Sequence, residues 1–151
     1  MRTNRRQFMG LAAGGAVLAA APIGHSAEAQ TKTSARIVIL GAGAAGTALA
    51  NRLSQRLDGA KITIIDGRKQ HFYQPGFTLI AAGLKSADYS VSTTAEWLPR
   101  NIEWIEEAAA EIDPEAKKVV TAGGKAVDYD YLFVATGLRL DYGAIEGMSL
   151  D

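Results

Sequence analysis

Arg36-Ile37-Val38-Ile39-Leu40-Gly41-Ala42-Gly43-Ala44-Ala45-Gly46 is the stretch on which the fold turns. Its first five residues are a β-branched, apolar run with no polar alternation, the pattern of a central parallel strand buried on both faces. A G-x-G-x-x-G spacing follows at once. Ala45, Ala48, Leu49, Leu53 and Leu57 then recur at helical spacing, and Asp58-Gly59 predicts the helix stop. Lys61-Ile62-Thr63-Ile64-Ile65-Asp66 reads as a second buried strand, which makes residues 36–66 a βαβ unit. Gly41 permits the tight turn out of the strand. Gly43 lets the backbone approach a pyrophosphate, where a Cβ would stand in the way, and Gly46 lets helix and sheet pack closely. The helix N-terminus offers free N–H groups to the phosphate charge. Asp66 stands 20 residues beyond Gly46, where a carboxylate accepts bonds from ribose hydroxyls and repels a 2′-phosphate. The unit therefore predicts dinucleotide binding, with NADP disfavoured.

Working outward, Ile102 to Glu106 reads as another strand. Ala109 to Asp113, a Pro114-Glu115 turn, Lys117 to Thr121, a Gly123-Gly124 turn and Ala126 to Tyr129 predict a three-stranded antiparallel excursion. Tyr131 to Ala135 reads as a last buried strand ending in Thr136-Gly137. The predicted class is α/β, a Rossmann-like parallel sheet plus that small excursion. Ser90, Ser92, Thr93 and Thr94 read as a polar connecting loop. Trp97 and Trp104 read as core or rim packing in preference to cofactor stacking. Glu106, Glu107 and Glu111, with alanines between them, read as a solvated face and not as a metal or acid–base cluster.

Composition narrows the function classes. The 151 residues suit one domain, or one plus a tail. Sixteen basic and sixteen acidic residues cancel, which excludes nucleic-acid binding driven by bulk charge. At 48% hydrophobic and 21% charged, the chain is too apolar for disorder. It has no cysteine and two histidines, so disulfides, thiol nucleophiles, Cys-zinc sites and multi-His metal centres are excluded for this sequence.

Residues 1–29 read as an address. Arg2, Arg5 and Arg6 precede an Ala/Gly-rich apolar stretch from Phe8 to Ile23, and Ala27-Glu28-Ala29 is a small-x-small end. The stretch is a poor transmembrane span. Arg5-Arg6-Gln7-Phe8-Met9 resembles a twin-arginine signal, which implies passage through the twin-arginine export machinery to the periplasm and a cofactor loaded before export. The expected division is a cleaved signal over 1–29 and a nucleotide-binding domain over 30–151. His25 belongs to the signal.

Tyr129-Asp130-Tyr131-Leu132-Phe133-Val134-Ala135-Thr136-Gly137 resembles the "YD-apolar-ATG" segment of flavoproteins with two dinucleotide-binding domains. His71-Phe72-Tyr73-Gln74-Pro75-Gly76-Phe77-Thr78-Leu79 and Ala81-Ala82-Gly83 are similar to the sulfide:quinone oxidoreductases and the flavin subunits of flavocytochrome c sulfide dehydrogenases. Leu140-Asp141-Tyr142 and Ile145-Glu146-Gly147-Met148 extend that likeness. The resemblance implies that Gly41–Asp66 binds FAD in preference to NAD. It implies that Gln74 and Pro75 lie near the flavin, that the backbone at Ala109 touches adenine, and that Thr136 and Gly137 close the site. It implies sulfide as substrate and a quinone or a cytochrome as acceptor, with two cysteines carrying the sulfur chemistry. This chain has neither cysteine, so no catalytic residue is assigned to it. The expectation is an incomplete member, with the cysteines, the second dinucleotide unit and the membrane-contacting region lying beyond these residues. A type II NADH dehydrogenase-like enzyme and an inactive nucleotide-binding fragment are the rival readings. A glutathione-reductase-like enzyme is weaker, because residues 67–95 hold no Cys-x4-Cys.

Overall fold

The computed structural model describes residues 29–148. The signal expected over 1–29 therefore falls, apart from Ala29, outside the described residues. The elements are β1 (Thr31–Lys32), β2 (Arg36–Leu40), α1 (Ala44–Arg56), β3 (Leu57–Asp58), β4 (Lys61–Ile65), β5 (Gln70–Phe72), α2 (Phe77–Ala81), β6 (Val91–Thr93), β7 (Glu103–Ile105), β8 (Ala109–Asp113), β9 (Lys118–Thr121), β10 (Ala126–Asp128) and β11 (Tyr131–Val134).

Four of these strands form a wholly parallel sheet in the order β11-β2-β4-β7. The unbroken aliphatic runs of β2 and β4 are needed because both faces are covered. Ile37, Ile39, Ile62 and Ile64 pack with Ala50 of α1 on one face. Val38, Leu40 and Ile65 meet Ile105, Val119 and Tyr129 on the other. Alternate residues of one strand thus feed two separate cores. The second core is closed by the predicted antiparallel excursion, order β10-β9-β8, which contributes Val119 from its central strand. Its first turn is held by the Asp113 carboxylate, which accepts from the Glu115 and Ala116 N–H groups, and Lys117 takes φ 51.

Three expectations are corrected. The helix ends at Arg56, not Leu57, because Leu57–Asp58 extends and pairs in parallel with Thr31–Lys32. Gly59 then makes the turn at φ +87, a value only glycine adopts without strain. Residues 90–94 are not a polar loop. Val91–Thr93 pairs antiparallel with Gln70–Phe72, and Ser90 and Thr94 are buried. Their hydroxyls find backbone acceptors, Ser90 on Ala87 and Thr94 on Arg68, so burial leaves no polar group unpaired. The third is β11, which forms as expected but at the edge of the sheet, leaving Tyr131 and Val134 more than half exposed.

Candidate functional site

A cavity of about 890 Å³ opens where the C-terminal ends of β2, β4 and β11 meet, the place where open parallel sheets bind ligands. Ala42–Ala45, Asp66, Arg68, residues 70–75, Thr94 and residues 135–138 line it.

The three loop glycines serve different ends. Gly41 has φ +99, and a Cβ there would stand 2.5 Å from the Ala135 carbonyl oxygen, so the loop passes tightly beneath the end of β11. A Cβ on Gly46 would overlap the Gly41 carbonyl oxygen. At Gly43 a Cβ would meet nothing within 4 Å: that position faces open space, on the cavity wall. Gly43 is also the N-cap of α1, which has no side-chain cap and no acid in its first turn. Its leading N–H groups are thus left for an anion, at a point where the backbone can be closely approached.

Asp66, just beyond β4, is buried. Its Oδ2 accepts the Ala42 N–H at 2.7 Å, and its Oδ1 accepts the Arg68 N–H at 2.8 Å. The Arg68 guanidinium completes the set at 2.8–3.3 Å. Burial pushes the Asp66 carboxyl up, but the bonds from Arg68 and Ala42 overcome it and hold the group below the usual aspartate range. The Asp66 carbonyl accepts the Trp104 indole N–H at 2.9 Å, so the carboxylate rests on a fixed backbone. Arg68 is pinned in turn, since its carbonyl accepts the hydroxyl of Thr94, which is 1% exposed.

Of the residues singled out from sequence, Gly43, Asp66, Gln74, Pro75, Thr136 and Gly137 border this one cavity, from segments far apart in the chain. Gly41 and Gly46 do not border it; they let the loop approach the Ala135 carbonyl and the first turn of α1. Ala109 opens β8, is exposed and does not border the cavity. From sequence, Arg68 is assigned no role and Thr94 reads as part of a polar loop. Arg68 had a signal, a base two residues after the acid, whereas Thr94 had none. Neither tryptophan lines the cavity: Trp104 packs on the first core, and Trp97 lies 5.6 Å from the His71 ring while donating to Ser92. Glu106 pairs with Lys69, and Glu107 accepts the Gly123 N–H. Among the described residues no group of three or more His, Asp or Glu is placed to hold a metal.

The site thus joins an open backbone cradle, an uncapped helix N-terminus, one fixed cation and walls that include Phe72, Tyr73, Pro75 and Leu138. These suit a ligand with an anionic middle and flat ends. A family model described as pyridine nucleotide-disulphide oxidoreductase matches residues 35–151. The mitochondrial sulfide:quinone oxidoreductase of Mus musculus is 36% identical over 117 residues, covering 78% of this chain and 26% of that protein. The sulfide-quinone reductase of Aquifex aeolicus is 39% identical over 109 residues, 72% of this chain and 25% of that protein. The solved structure of the Aquifex aeolicus sulfide:quinone oxidoreductase matches with a TM-score of 0.62 at 34% identity, covering 72% of this chain and 26% of the other. The chain spans about a quarter of the length of these relatives. Cradle, sheet order and sequence converge, and the chain belongs to the pyridine nucleotide-disulphide oxidoreductase family, whose members resembling it here are FAD-binding flavoproteins.

Proposed function

We propose that this chain holds the FAD of an exported flavoprotein that oxidises sulfide and passes the electrons to a quinone or a cytochrome. The observation that carries the reading is the meeting of the glycine loop, residues 70–75 and the end of β11 around one cavity. Residues 71–75 open the His71–Leu79 stretch that resembles the sulfide:quinone oxidoreductases.

Bound FAD supplies a ring able to take up two electrons and give them to an acceptor. The chain's own residues bind and orient it. Gly43 and the first N–H groups of α1 face the pyrophosphate. Asp66 and Arg68 form the adenosine end, Gln74 and Pro75 border the flavin, and Thr136 and Gly137 close the opposite wall. Ala109 is left without a place at this cavity. The chain has no thiol to attack or carry sulfur, so its part is to hold the cofactor. Residues 30–151 are the cofactor-binding unit, and Arg5-Arg6 with the apolar stretch behind it directs export to the periplasm.

The test is isolation of the native protein from the periplasmic fraction, using an antibody against residues 29–148. The expected product carries FAD and reduces ubiquinone or cytochrome c when sulfide is added. Recovery from the cytoplasm alone would overturn the export proposal. Reduction driven by NADH and not by sulfide would move the protein to the type II NADH dehydrogenase branch. A protein free of flavin would leave a nucleotide-binding module.

A further inference from the structure

Asn51 lies on α1, about two turns beyond the Gly43 N-cap, and does not border the cavity. Asparagine is a weaker helix former than leucine or alanine, so the helix alone does not call for it. Its side-chain nitrogen donates to the Thr47 carbonyl at 2.9 Å and to the Trp97 carbonyl at 2.7 Å. Both amide hydrogens are thereby used, and two carbonyl acceptors leave the amide one workable orientation. The bond to Trp97 spans 46 residues of sequence and fastens the far end of the 70–97 wall to the helix. Trp97 passes that hold onward. Its indole N–H donates to the Ser92 hydroxyl at 2.8 Å, and Ser92 pairs with His71 across β5 and β6. Its ring lies 5.6 Å from the imidazole of His71. His71 borders the cavity with Gln74 and Pro75, whereas Trp97 does not. The imidazole makes no hydrogen bond of its own among the described residues, so the ladder and the indole set where it stands. The indole is half exposed, and its place depends on the tie to Asn51 and on Leu98, which packs on the first core.

We infer that Asn51 is a positioning residue for the cofactor cavity: acting through Trp97, it sets the distance between the wall at His71–Pro75 and the glycine loop. This rests on the FAD reading above and adds a residue to it. α1 then serves at two points. Its N-terminus faces the anionic middle of the ligand, and Asn51 holds the wall against which the flavin end lies. A ligand that ends at its phosphates meets only the first.

Binding of FAD and of ADP to the full chain separates the two points, since ADP carries the pyrophosphate and no flavin. Asn51→Leu keeps a good helix former and removes both donors. It should weaken FAD about three- to tenfold, the worth of one neutral hydrogen bond, and leave ADP within about twofold of wild type. The visible circular dichroism of bound FAD should change in the same variant, because the wall shifts against the ring. Trp97→Leu, which removes the indole but keeps the backbone carbonyl, should reproduce both effects and serves should Asn51→Leu fail to fold. Equal loss of FAD and ADP would show that Asn51 supports the helix alone and would overturn the inference. So would unchanged FAD affinity in both folded variants. A wild-type chain that binds ADP but not FAD would sink the cofactor reading, and the tie is then read without a ligand. The His71 proton resonances, assigned by comparison with His71→Gln, should move in Asn51→Leu toward their positions in Trp97→Leu. Resonances that stay in place would overturn the inference on their own.

Discussion

Residues 36–66 and residues 70–97 border the same cavity, yet they are held in place by different forces. In the first segment Ile39 and Ile64 are fully buried, and two hydrophobic cores grip the strands from either face. In the second, Phe72, Tyr73, Phe77 and Trp97 are all about half exposed. What secures that segment is a short ladder between β5 and β6, with the Tyr73 N–H on the Ser90 carbonyl and Thr94 on the Arg68 and Lys69 carbonyls. One wall is a frame set by hydrophobic burial; the other hangs from a few directed hydrogen bonds. Burying one Ile side chain is worth about 1.5–3 kcal/mol, whereas a typical hydrogen bond nets about 0.5–1.5 kcal/mol. The difference teaches that the glycine loop and its strands are the stiff part of the site and the 70–97 wall the yielding part.

The contrast can be broken most directly at Ile64. Ile64→Ala leaves a void beneath the glycine loop and should cost about 2–5 kcal/mol in a urea melt, the range for large-to-small core changes. A loss under 1 kcal/mol would mean that the frame is not set by burial. Thr94→Val keeps the shape but leaves the Arg68 carbonyl without its donor, at about 1–3 kcal/mol. Hydrogen exchange should rise in residues 70–97 and hardly change in β2 and β4. Uniform loosening of both segments would show that the two walls are one cooperative unit. The smallest effect concerns Arg36, which ties the start of β2 to the turn before β11 through Asp130 at 2.9 Å. The side-chain and backbone hydrogen bonds of Arg36 hold the Asp130 carboxyl down at about 2. A carboxyl lowered on folding stabilises the folded state fully above its unfolded value of 3.8 and loses that contribution as pH falls through about 2. Asp130→Asn should therefore flatten the acid limb of a stability-against-pH curve in that window. An unchanged limb would show that the Arg36–Asp130 tie adds nothing to the frame.

The frame was legible before any coordinates. Residues 36–66 announce the βαβ unit because uninterrupted aliphatic runs, glycine spacing and helical periodicity are all local signals. The excursion was equally readable, and Ala109–Asp113 forms as expected, because Pro114 and the Gly123-Gly124 pair punctuate its turns. The yielding wall was legible only in part. Its aromatic-rich stretch stood out by resemblance, but Ser90, Ser92, Thr93 and Thr94 carry the composition of a loop. Their burial depends on acceptors supplied from elsewhere, and composition does not report that.

Asp66 marks the boundary between the two kinds of knowledge. Its type and its distance from the glycines follow from the chain alone, and so does the expectation that it borders the pocket at the glycine loop. Which groups would use its oxygens does not follow. Ala42 is 24 residues away in sequence, and Thr94, which fixes Arg68, is 26 residues from it. No short-range period links such positions. Local sequence determined the strands, the turns and the cradle, because those need only neighbouring residues. The tertiary structure alone decided how the hydrogen-bond acceptors are shared and which segments close around the C-terminal ends of the strands, because both depend on what distant segments bring within 3 Å.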